Sequence, residues 1–307
     1  MKVAFVSHPD FLLHEMGDGH PECPARLHAI DAGIHFSDLE RSLWRVEAPA
    51  ATREQLLRVH DEEHLDQLER LVPQRGHAFV DPDTAMNRHT LSAARLAAGA
   101  AVHATDLVMQ GRVSAAFCAV RPPGHHAERA QAMGFCFFNN VAVAAAHALE
   151  HHGLERVAIA DFDVHHGNGT EDIFRRDPRV LMVSTFQHPF YPDSGIAGRS
   201  ERMVNIPLAA YSKPAQFRAA VTDHWLPALE RFRPQLLLFS AGFDAHVADE
   251  MAMLELGDAD YVWVTAQLQE VARRHAQGRM VSLLEGGYDL YALGRCVTAH
   301  LKVLAGV

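Results

Sequence analysis

Two carboxylates and an imidazole alternate along one short segment, Asp161-Phe162-Asp163-Val164-His165, and His166 follows directly. Alternation along extended backbone points Asp161, Asp163 and His165 to one side, where Asp163 and His165 can reach a single ion. A carboxylate and an imidazole suit zinc or a similar borderline cation, and a catalytic centre of that kind uses three protein ligands and leaves a position open. Asp244, within Ser240-Ala-Gly-Phe-Asp-Ala-His246, is the third candidate ligand. A histidine doublet, His125 and His126, stands behind Pro122, Pro123 and Gly124, whose rigid and permissive backbones suit a fixed loop that projects side chains. Hydrolysing an amide needs a base for the attacking water and an acid for the leaving amine, and such a pair can supply both. Tyr288, in Glu285-Gly-Gly-Tyr-Asp289, is a phenol able to donate to a developing oxyanion. Together these residues imply metal-assisted hydrolysis of an amide.

The elements that must position them read as crossover units. Short β-rich runs at 3–7, 115–120, 157–161, 180–184, 235–240 and 280–284 alternate with helical stretches at 24–34, 52–72, 89–110, 138–151, 169–175, 214–231, 257–276 and 290–305. In an open parallel sheet the ligand sits outside the carboxyl ends of the strands. The unusual residues fall there: RPPGHH after Val120, FDVHHGNGT after Asp161, AGFDAH after Ser240 and EGGYD after Leu284. No internal repeat or linker interrupts the pattern, so one domain over residues 1–307 is expected.

With 307 residues and 48% hydrophobic side chains, disorder is excluded as a class. A net charge of -10, with Lys2, Lys213 and Lys302 as the lysines, argues against a nucleic-acid partner. Cys23, Cys118, Cys136 and Cys296 are scattered without a metal-ligand spacing and read as reduced thiols. Neither a signal peptide nor a membrane-spanning run is recognisable, so a cytoplasmic location without membrane partners is expected. The 22 histidines are the compositional anomaly, and they cluster. One cluster is a decoy: His60, Glu63 and His64 match the H-x-x-E-H spacing of a zinc protease class, but they read as a solvated face opposite Leu57, Val59, Leu65 and Leu68.

The motifs taken together resemble the histone deacetylase and acetylpolyamine amidohydrolase family. The resemblance runs over nearly the whole chain, from HEMGDGHPECPARL at His14 through VHDEEHL, RPPGHHA, GFCFFNNVA, DFDVHHGNGT, QHPFYPDSG, NIPL and SAGFDAH to LLEGGYD. It implies an arginase-like three-layer α/β/α domain with a mainly parallel sheet of roughly eight strands. It also implies that Asp163, His165 and Asp244 bind zinc, with iron as the alternative ion, and that His126 serves as general base and then general acid. His125, paired with Asp161, would give electrostatic support, and Tyr288 would hydrogen-bond the oxyanion. Aromatics of an acyl-lysine tunnel map to Phe135, after Gly134, and to Phe190 and Tyr191; Gly287 and Met251 border the same channel. Asp161, Asp163, His165, Ser184 and Thr185 match positions that hold a structural potassium ion. Bacterial members often assemble into oligomers, so a homo-oligomer is compatible.

Several positions depart from the family pattern. Asn168 stands where some members carry an aspartate partner for the second histidine. YPDSG replaces the commoner YPGTG, IAGRSERMVN lacks a glycine-rich lead into NIPL, and DEMAMLEL replaces a frequent DPLG stretch. Polyamine-selective relatives place a glutamate seven residues after the third ligand, where this chain has Met251, with Glu250 adjacent. The expected substrate is therefore an acetylated lysine peptide or a small acylated amine in preference to an acetylpolyamine. Two alternatives are a silent acyl-ligand-binding protein and a binuclear manganese hydrolase. Intact Tyr288, both histidines and the ligand set oppose the first; the single-metal ligand pattern opposes the second. The loop from Gly76 to His89 is expected at the site's mouth.

Overall fold

The computed structural model describes residues 2–196 and 200–307, so Ala197, Gly198 and Arg199 of the IAGRSERMVN stretch lie outside the described residues. The strands are β1 Val3–Ser7, β2 Leu43–Glu47, the short pair β3 Ala78–Phe79 and β4 Ala85–Met86, then β5 Ala115–Cys118, β6 Val157–Asp161, β7 Val180–Gln187, β8 Met203–Leu208, β9 Leu236–Ala241 and β10 Met280–Leu284. Eight of them form one sheet in the order β2-β1-β5-β10-β9-β6-β7-β8, parallel at every pairing. The central strands read as continuous apolar runs because helices cover both faces. β3 and β4 form a separate antiparallel pair within the Gly76 to His89 segment.

The helices are α1 Ala25–His35, α2 Arg53–Leu57, α3 Glu62–Leu71, α4 Thr90–Met109, α5 Asn140–Glu150, α6 Asn168–Phe174, α7 Pro214–Ala220, α8 Leu226–Phe232, α9 Asp258–His275 and α10 Leu290–Ala305. The alternation of β5 shows the layering. Phe117 packs toward His300 of α10, whereas the thiol of the next residue, Cys118, reaches the Ala100 carbonyl of α4. Successive side chains of a strand point to opposite faces, so α4 and α10 lie on opposite sides of the sheet. α5 packs beside α4, and α1 and α9 pack beside α10, completing three layers.

The structure departs from the sequence reading at the short pair β3 and β4, at both edge strands and within one helix. β2 and β8 are edge strands absent from that reading: β2 alternates in burial at one edge, and β8 carries Pro207, which disguises a strand. The single helix expected over 52–72 is broken into α2 and α3. Across that break His60 and His64 are buried, not solvated, while Leu57 is exposed. His60 Nδ1 donates to the Glu128 carbonyl at 3.0 Å and Nε2 accepts from the Asn139 amide at 2.9 Å, so this histidine pins the start of α5. His64 Nε2 donates to the Phe137 carbonyl at 2.9 Å. The zinc-protease spacing is thus occupied by two structural histidines.

Candidate active site

The loops that carry the unusual residues follow β5, β6, β9 and β10, which are contiguous in the centre of the sheet and open at the same edge. They bring Asp163, His165 and Asp244 together, all buried, with one candidate ligand atom from each lying within 4.8 Å of the others. His165 Nδ1 is 3.0 Å from Asp163 Oδ1 and 3.3 Å from Asp244 Oδ2. The remaining lone pairs are oriented by backbone. His165 N donates to Asp163 Oδ1, Gly286 N to Asp163 Oδ2 at 2.8 Å, and Val164 N to Asp244 Oδ1 at 2.9 Å. Apart from that 3.3 Å approach of His165, the buried Asp244 Oδ2 has no hydrogen-bond partner among the described residues. A Cβ on Gly286 would fall 1.9 Å from that oxygen, so only glycine fits there.

The two carboxylates and the imidazole of this buried cluster act strongly on one another's charge. Burial opposes ionisation of Asp244 and the neighbouring Asp163 carboxylate adds to it, pushing its pKa up to about 6. Burial likewise disfavours a charge on His165, yet Asp163 and Asp244 outweigh it and raise its pKa to about 9. The group thus draws a positive charge onto its own imidazole. The oxygen that accepts no well-formed hydrogen bond among the described residues, the convergent donors and the N/O chemistry all fit a borderline divalent cation.

His125 and His126 lie beside this cluster with ring centroids 4.0 Å apart and ring planes tilted by 44°. Glu285 holds their loop by accepting from the Gly124 and His125 amides at 2.7 and 3.1 Å. His125 Nδ1 lies 3.0 Å from Asp161 Oδ2, and its Nε2 is 3.8 Å from Asp163 Oδ1. Burial opposes a proton on His125, but Asp163 and Asp161 prevail and its pKa rises to about 10. His126 goes the other way. Burial, then the positive His125 and His165, hold its pKa well below the ordinary imidazole value. Its Nδ1 lies 2.8 Å from Asn168 Oδ1. Because the Asn168 amide nitrogen donates to Glu128 Oε1 at 2.7 Å, the oxygen must face His126, and Nδ1 must carry the hydrogen. Nε2 of His126 is left as a bare base.

Aromatic rings pack around the cluster. Phe190 stacks on His165 at 5.4 Å, and Tyr191 meets His126 edge-on at 5.3 Å. Phe135 meets Tyr288 edge-on at 6.1 Å. Gly134, at φ +56°, carries the chain past the His126 ring, where a Cβ would lie 2.5 Å from the ring carbon. Tyr288 is half-buried, and burial raises its pKa well above the ordinary phenol value, so the hydroxyl stays protonated. Met251 is half-buried beside Tyr288 and Pro21, and Glu250 is exposed at the same rim. Ser184 pairs in register with Asp161, and its buried hydroxyl has no partner among the described residues; Thr185 is buried next to it. His166 points away from the cluster, to Ser194 and Glu171.

Four further residues escaped the sequence reading. Arg26 is fully buried, donates to the Gly287 carbonyl at 2.7 Å and to the Glu285 backbone carbonyl, and lies 5.0 Å over the Tyr288 ring. It shares the buried Glu22 carboxylate with Arg121. Asp249 accepts from the Tyr288 and Asp289 amides at 2.6 and 2.9 Å, fixing the loop that carries Tyr288. The HPECPARL segment contains the signal for Glu22 and Arg26, but their partners lie far along the chain.

Comparison with known proteins places the chain in a family. The histone deacetylase domain family matches residues 20–304. The histone deacetylase-like amidohydrolase of Pseudomonas aeruginosa is 39% identical over 94% of this chain and 78% of its own. The mouse polyamine deacetylase HDAC10 is 37% identical over 100% of this chain and 48% of its own. The crystal structure of the HDA15 HD domain superposes with a TM-score of 0.92 at 34% identity, covering 100% of this chain and 90% of that one. With a fold of this closeness and a family match over most of its length, the chain belongs to the histone deacetylase family of amide-hydrolysing enzymes.

Proposed function

We propose that residues 1–307 act as one zinc-dependent catalytic domain that removes acetyl or other small acyl groups from lysine side chains or small amines. The observation that carries this reading is the convergence of Asp163, His165 and Asp244, whose Oδ2 accepts no well-formed hydrogen bond among the described residues, beside a neutral His126. Asp163, His165 and Asp244 would hold the ion, zinc in preference to iron, which would supply Lewis acidity toward the substrate carbonyl and the attacking water.

The chain's own groups do the rest. His126 Nε2 takes the proton of the attacking water, its Nδ1–H being anchored by Asn168. The Tyr288 hydroxyl donates to the oxyanion that develops as water adds to the acyl carbon. His126 then returns the proton to the amine nitrogen as the C–N bond breaks, giving a carboxylate and a free amine. His125, paired with Asp161, stays charged beside the reacting centre. Gly134, Phe135, Phe190, Tyr191 and Gly287 line the channel for an extended acyl-amine stem. The apolar Met251 at its rim favours acetyl-lysine or a small acylated amine over a polyamine, the substrate class named for the mouse relative. Asp161, Asp163, His165, Ser184 and Thr185 are proposed to hold potassium; the partnerless Ser184 hydroxyl supports this. No described helix is long and apolar enough to cross a membrane. The proposed location is the cytoplasm, without a nucleic-acid partner.

The test is turnover of an acetyl-lysine peptide and of acetylated polyamines by zinc-loaded protein, with and without a hydroxamate. Hydroxamate-sensitive release of acetate, greater for the peptide, is expected. Loss of activity on chelation and its return with zinc establish the ion; no turnover of either substrate with one zinc bound contradicts the reading.

A further inference from the structure

A second cluster of imidazoles lies at the other edge of the sheet. α5 starts beside the catalytic loop, where Asn139 reaches the His125 carbonyl, and its 11 residues carry the chain about 16 Å away. At that far end His147, His151 and His152 meet Asp106 of α4, each offering one ligand atom within 4.8 Å of the others. His147 and His151 are one turn apart on the same helix face, with rings stacked at 4.7 Å. His152 meets them edge-on at 5.3 and 4.9 Å. The Nε2 atoms of His147 and His152 converge on the same oxygen, Asp106 Oδ1, at 2.8 and 2.7 Å. A carboxylate only accepts, so each nitrogen presents a hydrogen to that point. One divalent cation could take the place of both hydrogens.

We propose that Asp106, His147, His151 and His152 form a second site for a borderline divalent cation such as zinc, separate from the catalytic cluster. Three imidazoles and one carboxylate would give the ion four protein ligands, the number of a closed structural site. The ion would tie α4 to the end of α5.

Arg58 controls this site. Its Nη1 lies 3.1 Å from His147 Nδ1, and a guanidinium only donates, so Nδ1 is the bare nitrogen in the metal-free protein. Metal on Nε2 moves the ring hydrogen to Nδ1, which then faces an N–H donor. Arg58 must turn to Glu54, whose carboxylate already lies 3.2 Å from its other nitrogen. Arg58 therefore opposes binding, and Arg58→Glu would supply the carboxylate partner that metal-bound histidines ordinarily have.

The experiment counts zinc per chain after equilibrium dialysis of the full chain. Two ions are expected in the wild type and one in the His147→Ala/His152→Ala variant. Arg58→Glu, at a half-buried side chain, is expected to bind the second ion about tenfold more tightly or better. Replacement of that ion by Co2+ should give the intense visible bands of four-coordinate cobalt, absent from the His147→Ala/His152→Ala protein. Equal zinc content in the wild type and the double-histidine variant, with no gain from Arg58→Glu, overturns the proposal.

Discussion

Asn168 Oδ1 lies 2.8 Å from His126 Nδ1, and it faces that ring because the other end of the same amide is held by the Glu128 carboxylate. A neutral amide here orients the base without adding charge, whereas an aspartate would draw a proton onto the imidazole. Through this chain of contacts Glu128, which touches no reacting atom, fixes which nitrogen of His126 is free.

Glu128→Gln removes that compulsion, since a glutamine can donate as well as accept and the Asn168 amide can reverse. A several-fold fall in kcat with KM unchanged is expected. Asn168→Leu should cost more, and His126→Ala about 10²–10⁴-fold. Steady-state kinetics checks the ranking, and an unchanged kcat in Glu128→Gln contradicts the orientation argument.

Arg121 and Arg26 neutralise the fully buried Glu22, whose pKa is held well below the ordinary carboxylate value against the opposing effect of burial. Arg121→Leu strips away one partner and leaves a partly uncompensated buried charge, a loss of about 3–5 kcal/mol. Urea unfolding measures it; a cost below about 1 kcal/mol would mean that Arg26 alone suffices.

Acid should unfold this protein from a relatively high pH. Burial lowers the pKa of His60, and of His300, to about 3. Thr265 Oγ1 gives its hydrogen to the Tyr261 carbonyl, so His300 Nδ1 donates to Thr265 and Nε2 accepts from Ser282; the ring is neutral and doubly engaged. A histidine whose pKa falls on folding binds more protons when unfolded. Between pH 6.5 and 3 each such group therefore removes stability as the pH drops, by about 1.4 kcal/mol per unit. Unfolding free energy measured from pH 7 to 4 should fall with acidity, and His300→Gln should reduce the slope. An identical slope in the variant refutes the assignment.

Met251 stands beside Tyr288 at the rim, with its amide donating to Asp249 at 3.0 Å. Met251→Glu should raise kcat/KM for acetylated polyamines relative to acetyl-lysine, because a carboxylate at this place can pair with a distal ammonium. No change in that ratio removes Met251 as a determinant of specificity.

The positions of Asp163, His165, Asp244, His125, His126 and Tyr288 were legible because each follows a strand, and parallel strands that neighbour one another open at one edge. What stayed hidden depends on partners remote in the chain. Arg26 reaches Gly287 across 261 positions, and no local pattern marks that pairing. His60 and His64 sit in an apparently amphipathic run, yet the helix breaks between Leu57 and Glu62 and turns both rings inward. β8 was masked by Pro207, tolerable there because the strand lies at an edge.

The most direct test of the account is single-turnover hydrolysis of an acetyl-lysine peptide by zinc-loaded wild type and Tyr288→Phe, with bound zinc measured in both. The account predicts equal zinc content and a loss of about 10²–10³ in rate for the variant, the scale of one missing oxyanion donor. Undiminished hydrolysis by Tyr288→Phe would contradict it.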